Sequence, residues 1–184
     1  LSWSSINGRF LNDLFPVPFT RESIELFCEK IDQTQNILGR RILVENISAY
    51  VQFNSSELDE AAFITEIAAR SGAGLLLDVN NIYVNSVNQG FDAGEFIDSI
   101  APGLVEEIHL AGHSSQVFDD EAILVDTHDA PVPSEVWALY ERALARFGTV
   151  ATLIEWDSRI PAPEVLIAEA AAAQHRMDGI DAAA

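Results

Sequence analysis

The stretch Val105–His113, VEEIHLAGH, reads as a buried strand carrying the wrong side chains. Two histidines and a glutamate stand where a covered sheet calls for valine and leucine. Alternation along a strand puts positions two apart on one face, so Glu107, His109 and His113 share a face. They are either polar core residues or groups aimed at a common point. The endings of the neighbouring strands decide between these.

Outward from that stretch, strand and helix signals alternate. FTRESIELFCEKI predicts a helix with Ile24, Phe27, Cys28 and Ile31 on one face and Thr20 as its N-cap. Cys28 therefore reads as a core residue and not as a reactive thiol. RILVENIS has strand length. SELDEAAFITEIAARSG predicts a helix opened by a capping box from Ser56 to Asp59 and stopped at Gly72. GLLLDVNN is a strand, with Asn80 and Asn81 shaping the turn after it. DAGEFIDSI is a short helix from Asp92. AILVDTHD is a further strand, SEVWALYERALARFG a helix, ATLIEWD the last strand and PEVLIAEAAAAQHRM the closing helix before a frayed alanine tail.

This β-α-β-α order implies parallel strands with helical crossovers, and the apolar strands imply a sheet covered on both faces. A closed (β/α) barrel and an open doubly wound sheet both satisfy it. No glycine-rich phosphate loop follows a strand, which argues against a dinucleotide fold. No linker or break in composition divides the chain, so residues 1–184 are expected to form one domain. LSWSSING opens without an initiator methionine and with a strand already under way, so further sequence is expected upstream.

The 184 residues are 48% hydrophobic and carry a formal charge of −19. A surface that acidic repels phosphate backbones and anionic lipid, which excludes nucleic acid and membrane as partners. Cationic or neutral substrates, a basic partner protein or bound metal cations fit better. The single cysteine forbids an internal disulfide and fits a reducing, cytoplasmic compartment. No apolar run approaches the roughly 20 residues of a membrane span.

The strand endings now fall into a pattern. Glu45 ends ILVE, Asp78 ends LLLD, His109 and His113 end EIHLAGH, Asp126 and His128 end ILVDTH, and Glu155 ends TLIE with Asp157 two residues on. Glu45 to Asp78, Asp78 to His109 and Asp126 to Glu155 each span about 30 residues, the size of a strand–helix–strand unit. His109 to Asp126 is about half that, too short for a helical crossover. Either the loop SSQVFDDEA replaces the helix there or that strand lies elsewhere. A lone acid after a strand is most often a cap or loop residue, and Asp92, Asp119 and Asp120 are read that way. His175 reads as surface. Asp157 could cap the turn before Pro161, and His113 could be a loop residue after Gly112. Trp3, Tyr83 and Trp156 read as wall packing. For the whole set, however, chance would have to act at five successive strand ends. Crowded carboxylates repel, and burying one ionised group costs several kcal/mol, a cost a divalent cation removes. Carboxylates and neutral imidazoles suit iron, manganese and zinc; without thiolate the set does not suit structural zinc.

The words LSWS, LFPVPFT, LVENISAYVQF, GLLLDVNNIYVNSVNQGFD, EIHLAGH, LVDTHDAPV and LIEWD, in this order, resemble the multinuclear non-haem iron oxidative enzymes. That family includes the catalytic subunit of methanobactin biosynthesis. The resemblance runs from Leu1 to about Ala170. It implies a TIM barrel of the xylose-isomerase-like kind, here incomplete, as the C-terminal two-thirds of the barrel without its first strands. It also implies two or three irons at the mouth, dioxygen as co-substrate, and oxidation of cysteines in a ribosomally made precursor peptide, often with a peptide-presenting partner protein. Carried over, the metal ligands are Glu45, Asp78, His109 or His113, Asp126, His128 and Glu155, with Asp157 as an acid/base beside the metals. Parity permits either histidine of HLAGH, and His109 is favoured because it lies within the strand. The rival readings are a manganese- or magnesium-dependent sugar isomerase or hydrolase on the same barrel, and an inactive truncated remnant.

Overall fold

The computed structural model describes residues 2–119 and 121–181, with the backbone alone at 12, 13 and 181. Leu1, Asp120 and the closing alanine tail lie outside the described residues. An antiparallel hairpin comes first, β1 (Trp3–Ile6) and β2 (Arg9–Phe15), so the strand expected in LSWSSING begins at Trp3 and is not part of the parallel sheet. Helix α1 (Arg21–Leu38) follows, its N-terminus capped by Thr20, whose hydroxyl oxygen accepts the Ser23 N–H. Ile24 and Ile31 are buried, and Phe27 and Cys28 pack beside them. Burial pushes the Cys28 thiol up, which keeps it protonated and inert.

Then come β3 (Leu43–Glu45), α2 (Glu60–Ser71), β4 (Gly74–Asp78), α3 (Val79–Gln89), α4 (Ala93–Ser99) and β5 (Val105–Leu110). The chain finishes with β6 (Ser114–Phe118), β7 (Glu121–Val125), α5 (Ser134–Phe147), β8 (Ala151–Ile154) and α6 (Pro163–Asp181). Strands β3, β4, β5 and β8 form one parallel sheet in that order. Among the described residues the sheet is open, with β3 and β8 as its edges.

Four expectations are corrected. AILVD does not join the parallel sheet: β7 pairs antiparallel with β6, a strand within the segment expected to be a loop. A hairpin needs only a few connecting residues, which is how the short His109–Asp126 interval is resolved. The successive parallel strand ends are therefore four, not five. The helix cap at α2 is Asp59, not Ser56: the Asp59 carboxylate accepts the Ala62 N–H at 2.8 Å. Ser56 is too far ahead of Glu60 to reach the first turn, and its hydroxyl accepts the Phe19 N–H instead. Asn80 and Asn81 are not turn residues but the first turn of α3, started by Asp78 as N-cap. Finally, the helices cover one face of the sheet, and among the described residues the other is covered only in part. Val44, Leu75, Leu77, Ile108 and Leu110 are buried against the helices. Each contributes about 1.5–3 kcal/mol by leaving water. The other face carries Glu45, Leu76, Asp78, Glu107 and His109, and Leu153 there is 43% exposed.

Helix α3 positions what lies around it with amides. Asn81 donates to the Asn46 carbonyl at 3.1 Å, Asn85 to the Ile47 carbonyl at 2.9 Å and Gln89 to the Ala49 carbonyl at 2.7 Å. Three residues four apart thus hold the loop that leaves β3. Asn46 itself continues the β3–β4 ladder with its side chain, accepting the Asp78 N–H and donating to the Asp78 carbonyl, both at 2.9 Å.

Candidate metal centre

At the C-terminal ends of the sheet, Glu45, Asp78, His109 and Glu155 each bring one donor atom to within 4.8 Å of the others. Donor atoms sharing one divalent ion at about 2.0–2.3 Å lie at most about 4.6 Å apart. Small side-chain rotations would therefore place all four on one ion. Cross-strand register explains the convergence: Asp78 lies beside His109, and Glu45 lies beside Leu76 one step earlier on the same face. The Glu155 N–H donates to the Leu110 carbonyl at 2.9 Å, which carries the β5–β8 ladder one residue beyond the strand. A second group, His128, Glu155 and Asp157, meets the same 4.8 Å limit. Glu155 belongs to both.

The site has the electrostatics of a crowded anionic pocket. Asp78 is fully buried, and its Oδ1 accepts the Asn81 N–H at 2.7 Å while its Oδ2 finds no partner. Burial, and then the charge of Asp126, push its carboxyl up to about 8. Burial also raises Glu45, with His109 pulling it back. Burial works against a charge on the His109 ring, but Glu155 at 3.1 Å from Nδ1 and Glu107 at 3.2 Å from Nε2 outweigh it and lift the ring to about 9. The two imidazoles hold Glu155 down to about 2. His128 is opposed by burial, yet Asp126 and Glu155 beside it raise it to about 11. Its Nε2 lies 2.6 Å from Asp126 Oδ1, but neither ring nitrogen has an aligned hydrogen-bond partner, so the contact is an ion pair and not an N–H···O bond. His128 also takes a left-handed backbone at φ 44°, which is rare for a residue with a Cβ and costs of order 1–3 kcal/mol.

His113 and Asp126 fall outside both groups. His113 lies past the end of β5, so strand parity no longer applies to it. Its Nδ1 is 2.8 Å from Asn80 Oδ1, and its ring lies against Tyr83. Asn80 turns its other end to Asp126, donating at 2.6 Å to Oδ1. His113, Asn80, Asp126 and His128 thus form a chain leading to the second group. Asp157 stands at the rim, its side chain 67% exposed and 3.4 Å from His128 Nδ1. Strand parity does not explain its pairing with Glu155, or that of Asp126 with His128, because β8 ends at Ile154 and β7 at Val125, yet the side chains of each pair come together. Gly112 is required by packing: a Cβ there would sit 2.1 Å from the Ala130 carbonyl oxygen, so only glycine lets the His128-bearing segment approach β5. Trp3 stacks on Phe15 and donates to the Pro16 carbonyl, while the Trp156 indole N–H is buried without a partner. Asp92 caps α4 as expected, and His175 is exposed.

The reading of the sequence missed three contributors. Glu107 was placed on the face of His109 but not recognised as the carboxylate that orients it, although its position two residues away was the signal. Asn46 and Asn80 leave no signal in hydrophobic periodicity, because each acts through an amide on a residue far along the chain.

The donor set fits a hard or borderline cation. It offers carboxylates and imidazoles, an orphaned carboxylate oxygen on Asp78 and two orphaned ring nitrogens on His128.

Residues 1–178 match the family described as RiPP precursor modification enzyme MbnB/TglH/ChrH. A UPF0276 protein of Acaryochloris marina is 46% identical over 181 residues, which is 96% of this chain and 64% of that protein. One from Paraburkholderia phytofirmans is 47% identical over 176 residues, 95% of this chain and 57% of its own length. One from Bordetella parapertussis is 49% identical over 170 residues, 92% of this chain and 59% of its own. The chain thus spans less than two-thirds of the length of these relatives.

Proposed function

The chain belongs to the MbnB/TglH/ChrH family of RiPP precursor modification enzymes, and from that premise we propose that it carries the metal centre of an iron-dependent oxidase acting on a ribosomally made peptide. The observation that carries the reading is the place of Glu155 in both donor groups, so that one carboxylate would help to hold two ions. Glu45, Asp78, His109 and Glu155 would hold one ion, and His128 and Glu155 would help to hold a second, with Asp126 orienting His128 and Asp157 beside them. The polar face of the parallel sheet would be the inner face of a (β/α) barrel of the xylose-isomerase-like kind, a fold whose active sites lie at the C-terminal strand ends.

Bound iron would supply dioxygen activation for oxidation of peptide cysteines. The chain's own residues do the rest. Glu107 fixes the His109 ring so that Nδ1 faces the donor group. Asn46 and Asn81 lock the segment that presents Glu45 and Asp78. Asp157, exposed at the rim beside His128, is placed to hold or pass a proton at its Oδ2. The acidic chain suits a basic precursor or a basic presenting partner.

The test is elemental analysis of purified protein together with its optical spectrum under anaerobic and aerobic conditions. Iron at more than one ion per chain, with absorption that changes on admitting dioxygen, supports the reading. Colourless manganese or magnesium at the same site would transfer the assignment to a sugar isomerase or hydrolase.

A further inference from the structure

A second concavity lies near the donor groups, although none of their residues lines it. It is a cavity of about 610 Å³ between the loop after β3, the start of α2, the end of α3 and the start of α4. That volume falls within the range of roughly 300–1,000 Å³ typical of ligand sites. Its walls combine an apolar surface, including Phe19, Phe53, Phe91 and Phe96, with four carboxylates and, among the described residues, no lysine or arginine. The carboxylates are not equivalent. Asp59 and Asp92 are occupied as the caps of α2 and α4. Arg142 reaches the Asp92 and Glu95 end from α5, although its own ion pair is with Asp98. Among the described residues Glu60 has one weak hydrogen bond, from the Asn85 amide at 3.4 Å. Burial pushes its carboxyl up to about 7, with the Asn85 amide pulling it back. Next to the cavity, Glu60, Phe19 and Ala49 also wall a narrow gap that Glu45 lines too.

We propose that this cavity is a subsite for a lysine or arginine side chain of the peptide substrate, its cationic head on Glu60 and its methylene stem on Phe19, Phe53 and Phe96. The identification of the occupant as peptide rests on the function proposed above. The chemistry follows from the walls. A long aliphatic stem ending in a cation matches an apolar lining that holds a half-buried, weakly paired carboxylate, whereas an acidic or wholly apolar side chain brings Glu60 no counter-charge.

The full chain is titrated with acetyl-Ala-Lys-Ala-amide and with its neutral analogue carrying norleucine in place of lysine, followed residue by residue by amide NMR. The lysine peptide is expected to bind about ten-fold more tightly, the scale of one charge-assisted hydrogen bond, and to shift Phe19, Ala61 and Phe96. Glu60→Gln should erase that preference while leaving metal content as in the wild type. Phe53→Ala, at a partly exposed position, should weaken both peptides alike. Equal affinity of the two peptides for the wild type overturns the proposal. So does an unchanged preference in Glu60→Gln, or shifts confined to the ends of β3, β4 and β5. Loss of metal from the wild type would instead count against the oxidase reading, so the two failures are told apart.

Discussion

The two halves of the donor cluster are held by different forces. Glu45, Asp78 and His109 sit on or at the ends of paired parallel strands, where backbone ladders and buried rows of leucine and isoleucine fix them. Asp126, His128 and Asp157 follow a hairpin and a coil segment. They are held by single side-chain bonds: Asn80 to Asp126, the Tyr50 hydroxyl accepting the Asp126 N–H at 2.9 Å, and Asn88 gripping Leu124. Two backbone bonds to the His128 carbonyl, from the Asp157 N–H at 2.8 Å and the Ser158 N–H at 3.5 Å, tie this half together. A ladder distributes its hold over many bonds. A set of amides can be dismantled one residue at a time. The strand-borne half should therefore survive changes that loosen the loop-borne half, and only a residue common to both should abolish the whole.

Glu155 is that residue, and its loss is the largest effect expected. Glu155→Ala should lower affinity at both groups by more than about 100-fold, beyond the range seen for residues that merely support ligands. Metal content after dialysis measures it. Retention of one ion at full affinity would show that the halves do not share this carboxylate and would break the comparison.

Proton release separates the halves next. Metal binding requires an ionised Asp78 and neutral imidazoles. Without metal, Asp78 titrates at about 8, His109 at about 9 and His128 at about 11, all above neutrality, whereas Glu155 at about 2 is already ionised. Loading at pH 7 must displace these protons, so affinity rises with pH. Each displaced proton contributes about ten-fold per pH unit until the pH passes its pKa. The strand-borne group, whose protons leave by about pH 9, should fill before the group of His128. Titration with ferrous iron in weakly buffered indicator solution, repeated at several pH values, would follow both stages. PH-independent uptake, or simultaneous filling throughout, would contradict the assignment.

The same contrast governs what could be read from the chain itself. Glu45, Asp78 and His109 were legible because strand spacing and alternation are periodic, and the structure brings these side chains together on one face. Asp126 and His128 were found by the same rule for a reason that does not hold, since the strand before them is half of a hairpin outside the parallel sheet. The short interval after His109 was the one sign of this. The helix over Val79–Gln89 was hidden because its asparagines are weak helix formers. Here they offset that cost by hydrogen-bonding to loop carbonyls, which replace the partners a sheet would provide. The open polar face was unreadable from strands that looked apolar on both sides, because Leu43, Leu76 and Leu153 share it with the acids and the histidine.

Asn80→Ala tests the loop-borne half directly. It removes the donor to Asp126 and the acceptor from His113 together. Affinity at the group containing His128 should fall about 10–100-fold, as for losses of orienting residues around metal ligands. The group of Glu45, Asp78 and His109 should change little. Separate dissociation constants from competition with a chelator give both values in one experiment. An equal loss at both would mean that the halves are mechanically one.

Asn88→Ala carries the contrast to its weakest link. Asn88 lies two helical turns along α3 from Asn80, and its amide both accepts the Leu124 N–H at 2.9 Å and donates to the Leu124 carbonyl at 2.8 Å. It thus imitates a strand partner for the outer edge of β7, two residues before Asp126. Truncation leaves those backbone groups beside solvent, so water can replace the lost bonds. The expected cost is about 1–2 kcal/mol of stability, one modest net hydrogen bond or two, read from denaturant unfolding. Affinity at the His128 group should then fall only a few-fold, because Tyr50 and Asn80 still hold Asp126. A loss as large as that of Asn80→Ala would show that β7, and not the amide touching Asp126, sets the position of this half.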